Sequence, residues 1–158
     1  MKDSIDRVEI LKGNQSSLYG ANAIGGTIHI FTKKGKEGYR SNVSVEGGSN
    51  NSKSTYYSVD GANDKIDYYL GLNKFVTGGI SARNDDGESD KYRNESLNGS
   101  FGYKFNESLR IENSLGYTNT DLKYDAVNNK KTDVVDRSDD ILANYSLRVI
   151  HDLSLIHI

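Results

Sequence analysis

The chain has 158 residues, of which 35% are hydrophobic, and its 20 basic and 22 acidic residues give a net charge of -2. These charges are interspersed, so the sequence has no basic stripe of the kind that binds nucleic acid. The absence of cysteine excludes a disulfide scaffold and any chemistry that needs a cysteine nucleophile or ligand. No apolar run approaches the roughly 20 residues of a transmembrane helix, but strands of a membrane barrel would not show one. Residues 1–4 are not followed by the apolar segment of a signal peptide, so we expect an internal part of a longer protein.

The first predicted elements are two short strands, at residues 7–12 and 28–31, separated by a single helical turn. Apolar and charged side chains alternate along the first strand, which is typical of a strand with one covered face. Either Ser16 or Ser17 can cap the helical turn, and Gly20 can end it in the left-handed conformation. A glycine pair then lets the backbone turn sharply into the second strand.

This stretch contains RVEILKG, SSLYG and IGGTIHI in that order. It resembles the end of the plug domain of TonB-dependent outer-membrane receptors, where R-V-E-x-L-K-G-P-x-S-x-L-Y-G-x-x-A-x-G-G-x-I-x-I-x-T-K leads into the first barrel strand. The similarity covers about residues 5 to 35 and departs from the pattern at Asn14, where the family usually has proline. It implies that residues 1–35 form the C-terminal part of a small α/β plug. Residues 36–158 would then be the first strands of an antiparallel transmembrane β-barrel, so the fold class is mainly all-β.

Apolar and polar residues alternate in six further predicted strands, and in each the more apolar row carries no charge. Members of these rows, one from each strand, are Val43, Tyr57, Leu70, Phe101, Leu115 and Tyr145. A charged side chain at the middle of a membrane costs about 2–4 kcal/mol, so a lipid-facing row should exclude charge. The inner face of a soluble β-sandwich would exclude it as well. A seventh strand is expected to begin at Leu153.

The predicted connections distinguish these two interpretations. Tight turns are expected near Asn63, Asn106 and His151, whereas residues 74–92 and 119–138 form long polar connections. Short turns at one end and long loops at the other are typical of outer-membrane barrels. Six or seven strands cannot close a barrel of about 22 strands, so we expect an open sheet with an unpaired edge that neither transports nor folds stably alone.

The resemblance implies a function in energy-coupled uptake across the bacterial outer membrane. In this family the partner TonB pulls on an N-terminal segment, which is missing here, and the plug rearranges to admit a scarce nutrient such as a ferric siderophore or cobalamin. The other expected partners are outer-membrane lipid and that small-molecule ligand, whose identity the sequence leaves open. No bond is made or broken, so no catalytic residues, no cofactor and no nucleic-acid partner are expected.

By analogy with the family, the plug charges Arg7, Glu9 and Lys12 are expected to pair with charges on the inner barrel wall. The alternative is that they only solvate the exposed face of their strand. Candidate partners in the wall are Arg40, Glu46, Asp60, Asp67, Arg110, Glu112 and Arg148.

Four glycines and one acidic loop contain the remaining candidate residues. Gly13, Gly20, Gly25 and Gly26 are interpreted as serving backbone geometry, because the P-loop lysine is missing from their spacing. In an acidic loop, Asp85, Asp86, Glu88 and Asp90 are candidate ligand contacts on the outer surface. That loop lacks the EF-hand spacing, and the histidines show no metal-binding spacing, so no metal site is predicted.

Two other functions remain as alternatives at this point. One is a non-transporting outer-membrane barrel of the porin or adhesin type, against which the plug-like segment argues. The other is a soluble all-β binding module, which would be monodisperse in water without detergent.

Overall fold

The computed structural model describes residues 4–80, 90–125 and 135–152. Its chain divides into two units, Met1–Lys33 and Lys34–Ile158. In chain order, the elements are β1 (Ile5–Lys12), α1 (Ser16–Tyr19), a 3-10 turn (Ala21–Ala23), β2 (Gly26–Thr32), β3 (Gly38–Gly48), β4 (Ser52–Ala62), β5 (Ile66–Thr77), β6 (Tyr92–Lys104), β7 (Leu109–Asp125) and β8 (Val135–His151). The prediction of a mainly antiparallel β fold is confirmed.

The first unit, which we call the hairpin unit, is an antiparallel pair of β1 and β2 connected by the helical turns. Val8 faces Ile30 and Ile10 faces Ile28 across the pair. All four side chains are exposed within this unit, at 48 to 67% of their full accessibility. A two-stranded sheet of this size is marginally stable by itself in water, so its apolar face needs a covering surface.

The cap of α1 differs from the prediction. Ser16 and Ser17 lie inside the helix, and the N-cap position is Gln15 without a side-chain bond. The side-chain oxygen of Asn14 accepts the backbone N–H of Ser16 at 2.9 Å instead. Asparagine bonds readily to a backbone N–H two residues further on, and this explains the change of cap.

Gly20 ends the helix in a different conformation from the one predicted. Its φ of 88° is positive, but its ψ of 173° is extended, not left-handed helical. This region of backbone space is essentially restricted to glycine. The residue type is therefore explained by the turn, although the predicted geometry was wrong.

The second unit is a single six-stranded sheet in which each strand pairs with its neighbours in sequence order, from β3 to β8. Asparagine side chains hold two of its tight turns. Asn63 accepts the backbone N–H groups of Lys65 and Ile66, both at 2.9 Å. Asn106 likewise accepts those of Ser108 and Leu109, at 3.0 and 2.8 Å. These bonds are typical of asparagine at the first position of a turn.

At the other end of the sheet, the strands are longer than predicted. β5 continues to Thr77, β7 continues to Asp125, and β8 begins at Val135, so both long connections are shorter than the sequence suggested. Polar and charged side chains occupy these extensions, and the backbone ladder continues because strand pairing does not require apolar side chains. The expected seventh strand from Leu153 lies outside the described residues.

The two faces of the sheet differ in composition. Residues in one row of every strand are largely apolar, and we call the surface that these rows form the apolar face. On this face, the side chains of Val45 and Tyr145 are 74% and 69% exposed. The opposite row forms the polar face, where Ser58, Asp60 and Asp67 are buried to 8% exposure or less. Within the described residues of this unit, no helix or second sheet covers the apolar face. No described helix has the length and apolar character needed to span a bilayer.

The row that forms the apolar face becomes charged towards the long connections. The charged residues of this row, which we call the outward charged band, are Lys53, Lys74, Arg93, Glu95, Asp121, Lys123, Arg137 and Asp139. They lie in the strand extensions or just beside them. The prediction that this row is uncharged therefore holds for the central part of the strands but not for their extended ends.

Candidate functional site

Charged residues of the polar face gather where the sheet adjoins residues 34–37, the segment that we call the linker. Those bonded to one another within 3.1 Å form the basal charge cluster, which consists of two groups, Arg40 with Asp60, and Lys34 with Glu112, Arg110 and Asp67. Three members are basic and three are acidic. The cluster is thus balanced. Its carboxylate side chains are only 11 to 17% exposed, whereas Lys34 and Arg40 are about half exposed.

Arg110 connects two strands that are not neighbours. Its guanidinium donates to the carboxylate of Asp67 on β5 and to Glu112 on its own strand at 3.1 Å. The intervening strand β6 carries Gly102, which faces Asp67 on one side and Glu112 on the other. A Cβ atom at Gly102 would overlap the Asp67 carboxylate and the guanidinium of Arg110. Glycine at this position is what lets the arginine side chain lie across β6.

The linker joins the same cluster through its charges and its backbone. The ammonium of Lys34 lies 2.7 Å from Glu112, whose side chain is only 17% exposed. The backbone N–H of Lys36 donates to Asp60 at 3.4 Å. Asp60 in turn accepts two hydrogen bonds from Arg40, one from Nε at 3.1 Å and one from a terminal nitrogen at 2.5 Å. Both linker lysines therefore contact carboxylates that are already paired with an arginine.

Close backbone packing adds to these contacts. A Cβ atom at Gly35 would overlap the carbonyl oxygen of Gly61 and lie 2.7 Å from the backbone of Tyr68. Glu37 forms an isolated parallel bridge with Ala62. Residues 35–37 are thus held against β4 and the neighbouring part of β5, and a side chain at Gly35 would overlap this backbone.

Beyond the cluster, the middle of the polar face carries uncharged hydroxyl and amide groups. They include Ser58, Asn98, Ser100, Ser114, Asn144 and Ser146. The ring of Tyr69, which is 4% exposed, lies over Gly71, and its hydroxyl is 3.1 Å from that of Tyr56. This surface offers hydrogen bonds without net charge, as suits a wall in contact with water.

The three predicted plug charges all lie in the hairpin unit. Arg7 Nε donates to Glu9 at 2.7 Å, and both side chains are about half exposed. The guanidinium of Arg7 also lies 3.7 Å from the centre of the Phe31 ring, a cation–π distance. Lys12 is exposed at the end of β1. Their pairing with the barrel wall stays a prediction, since these contacts are internal to the hairpin unit.

The predicted plug glycines differ from one another in the structure. Gly13, Gly20 and Gly26 have φ values of 96°, 88° and 139°, which disfavour any other residue. At Gly26 a Cβ atom would also overlap the carbonyl oxygen of Leu11. Gly25 has no positive φ and open space where its Cβ would lie, so its backbone would accept a side chain.

Of the candidate wall charges, two lie at the margin of the cluster or outside it. Arg148 approaches Glu112 only to 3.8 Å and is 68% exposed. Glu46 accepts a long bond of 3.5 Å from the hydroxyl of Ser44. Lys34 and Gly102 were not singled out from the sequence. Their importance depends on which residues lie opposite them, and only the strand register supplies this.

The acidic loop is mostly outside the described residues, including Asp85, Asp86 and Glu88. Asp90 is described, and its backbone carbonyl lies against Gly79, which has a φ of 69°. Among residues 4–80, 90–125 and 135–152, no group of three acidic or histidine side chains is placed to hold a metal ion.

These features define a class of protein. An up-and-down antiparallel sheet with an exposed apolar face, a polar opposite face and a bound linker is the wall of a membrane β-barrel. Comparison with known proteins refines this class. Residues 2–27 match the family model described as TonB-dependent Receptor Plug Domain.

Relatives from the genus Vibrio agree with this match. The chain is 43% identical over 42 residues to the iron-regulated outer membrane virulence protein of Vibrio cholerae in two strains, which covers 27% of the chain and 6% of the relative. It is 27% identical over 124 residues to the vitamin B12 transporter BtuB of Vibrio vulnificus, covering 77% of the chain and 20% of that protein. The chain thus corresponds to a small part of the relatives it matches.

The comparisons thus support a fragment of a TonB-dependent receptor, in which residues 2–27 match the plug domain, and they support a location in the bacterial outer membrane. Its named relatives are an outer-membrane protein and a transporter.

Proposed function

We propose that this chain takes part in the TonB-dependent uptake of a scarce nutrient, either a ferric siderophore or cobalamin. Residues 1–35 would be the end of the plug, and residues 36–158 would be the first strands of the barrel. Support for iron comes from the name of the Vibrio cholerae relative. Support for cobalamin comes from the name of the Vibrio vulnificus relative.

The observation that carries this proposal is the attachment of the linker to the polar face of the sheet. Lys34 bonds to Glu112, and Gly35 lies directly on the backbone of β4 and β5. A force that acts on the plug from its N-terminal side would then meet a fixed point at residues 34–37. The plug would rearrange between that point and the force while staying connected to the wall.

In the same proposal, the charged residues of the hairpin unit hold the plug in its closed state. Arg7 and Glu9 are paired yet half exposed, so they can exchange partners with wall charges at little cost in free energy. Exposed ion pairs are worth at most about 1 kcal/mol. Arg7, Glu9 and Lys12 would thus hold the plug in the closed state through contacts that a modest force can break.

The proposal can be tested in cells that lack their own receptors for these ligands. These cells would express the complete receptor that contains this chain. Uptake of a radioactive ferric siderophore panel and of radioactive cobalamin would be measured with and without a functional tonB gene. We expect uptake of one ligand class, and only in cells with TonB. Equal uptake in cells without TonB would indicate a passive pore and contradict the proposal.

A linker variant with a matched control refines this test. Lys34→Gln removes the bond to Glu112, whereas Lys36→Gln makes the same change of charge but keeps the backbone bond to Asp60. We expect uptake to change in Lys34→Gln and to remain normal in Lys36→Gln. The same effect in both variants would show that linker charge matters and the specific bond does not.

A further inference from the structure

Charged and aromatic side chains face each other across one side of the hairpin unit. In the register of β1 and β2, Arg7 lies opposite Phe31 and Glu9 lies opposite His29. We call the surface that these four residues form the mixed face. The four apolar side chains of the strand pair lie on the other side, because successive residues of a strand point to opposite faces. Two of the predicted plug charges therefore share a surface with two rings.

The guanidinium of Arg7 is held in two ways on the mixed face. Its central carbon lies over the ring of Phe31, 3.7 Å from the ring centre. Its Nε donates to Glu9 at 2.7 Å. Arginine is suited to both contacts at once, because its planar group stacks on an aromatic face while its N–H groups remain available at the edges. The ring fixes the plane of the guanidinium, and the carboxylate fixes its rotation in that plane.

The two terminal nitrogens of Arg7 form the remaining edge of the guanidinium. Within residues 4–80, 90–125 and 135–152, neither of them donates a hydrogen bond. The register of the strand pair shifts between Ile5 and Arg7, and this irregularity brings the carboxylate of Asp6 to 3.7 Å from one terminal nitrogen. That distance is too long for a hydrogen bond. The side chain of Arg7 is 55% exposed, so this edge is accessible to a second carboxylate.

The ring of Phe31 is itself held in place. It stacks on His29, with 6.3 Å between the ring centres and 22° between the planes. His29 Nε2 in turn lies 3.2 Å from the hydroxyl of Thr27, and Tyr19 packs edge-on against His29 with 4.6 Å between the centres. These spacings are typical of favourable aromatic pairs. Phe31 thus offers the guanidinium a surface that is fixed from behind.

We propose that Phe31 is a positioning residue for Arg7. It holds the guanidinium with Nε on Glu9 and keeps both terminal nitrogens available for a carboxylate of the barrel wall, which can bind there through two parallel hydrogen bonds without first displacing Glu9. An arginine side chain loses much rotational freedom when it forms such a pair, and one that already rests on a ring loses less. This inference rests on the proposed role of Arg7 in holding the plug closed.

The complete receptor in a planar lipid bilayer without TonB provides the test. A plug that leaves its closed state opens a path for ions, so the fraction of conducting receptors reports how firmly the plug is held. We expect Arg7→Gln to raise this fraction most. Phe31→Leu keeps an apolar side chain but removes the ring, and it should raise the fraction by about two- to fivefold, the factor that corresponds to an exposed cation–π contact.

Three further receptors separate positioning from general packing. Phe31→Tyr keeps the aromatic face and should conduct no more than the unchanged receptor. Phe105→Leu makes the same replacement in the second unit, where the ring packs on Tyr103 with 4.7 Å between the centres, and it should also leave the fraction unchanged. In the Arg7→Gln background, Phe31→Leu should add nothing, because a residue that acts through Arg7 has no effect once Arg7 is gone.

Four results would overturn the inference. An unchanged fraction in Phe31→Leu beside a raised one in Arg7→Gln would leave Arg7 its role and remove that of Phe31. An equal rise in Phe31→Tyr and Phe31→Leu would show that the fit of the side chain matters and the aromatic face does not. A full effect of Phe31→Leu in the Arg7→Gln background would show that the ring only packs the plug. No effect of Arg7→Gln would remove the holding role itself, while TonB-dependent uptake is measured independently.

Discussion

Replacing Gly102 by alanine tests whether the polar face is organised around the Arg110–Asp67 ion pair. The added Cβ would overlap both partners, so at least one of the two side chains would have to shift and their direct bond would be weakened or lost. Asp67 is 12% exposed at its side chain and Arg110 is 30% exposed. Breaking a buried pair costs about 3–5 kcal/mol. Because Arg110 keeps its bond to Glu112 and is partly solvated, we expect about 2 kcal/mol here.

Alanine also stabilises a strand relative to glycine, by about 0.5–1 kcal/mol. The net loss for Gly102→Ala is therefore about 1–1.5 kcal/mol, or roughly tenfold in the unfolding equilibrium. Gly99→Ala is a matched control on the same strand, because its Cβ would meet only the flexible side chain of Leu115, at 3.4 Å. We expect this control to be unchanged or slightly more stable.

Urea unfolding of the complete receptor in detergent, followed by circular dichroism, measures both variants. The ion pair can also be removed first, with Asp67→Asn, before Gly102→Ala is added. In that background we expect most of the cost of the alanine to disappear. A full cost in the Asp67→Asn background, or equal midpoints for Gly102→Ala and Gly99→Ala, would refute the argument.

Three further predictions concern the linker, one turn and the isolated chain. Lys34→Gln should lower stability by about 0.5–1 kcal/mol and speed proteolysis at residues 34–37, whereas Lys36→Gln should do neither; equal proteolysis would contradict the role of Glu112. Asn51 has a φ of 55°, so Asn51→Ala should cost about 1 kcal/mol and Asn51→Gly should cost nothing, as measured by urea midpoints. The isolated chain should show no cooperative thermal transition in buffer without lipid, because β3 and β8 each lack a second neighbour in the described sheet; a sharp transition by calorimetry would contradict this expectation.

Local patterns in the sequence predicted much of the fold. Alternation of apolar and polar residues predicted the strands of the sheet, because side chains of a strand point to opposite faces in turn. Asparagine at positions 63 and 106 marked tight turns, since its side chain bonds to the backbone N–H groups that follow. Strand ends were predicted less well, because the hydrogen-bonded ladder continues through polar residues such as those before Asp125.

Alternation and turn chemistry, which depend only on near neighbours in the chain, were thus sufficient for the element types and their order. The plug-like segment was assigned from its resemblance to a known family. The basal charge cluster depended on the tertiary structure. Arg110, Gly102 and Asp67 come from three strands, and Lys34 lies 78 positions before Glu112. Their contacts exist because strand register brings distant residues to the same height on one face, and a shift of one residue would send each side chain to the other face.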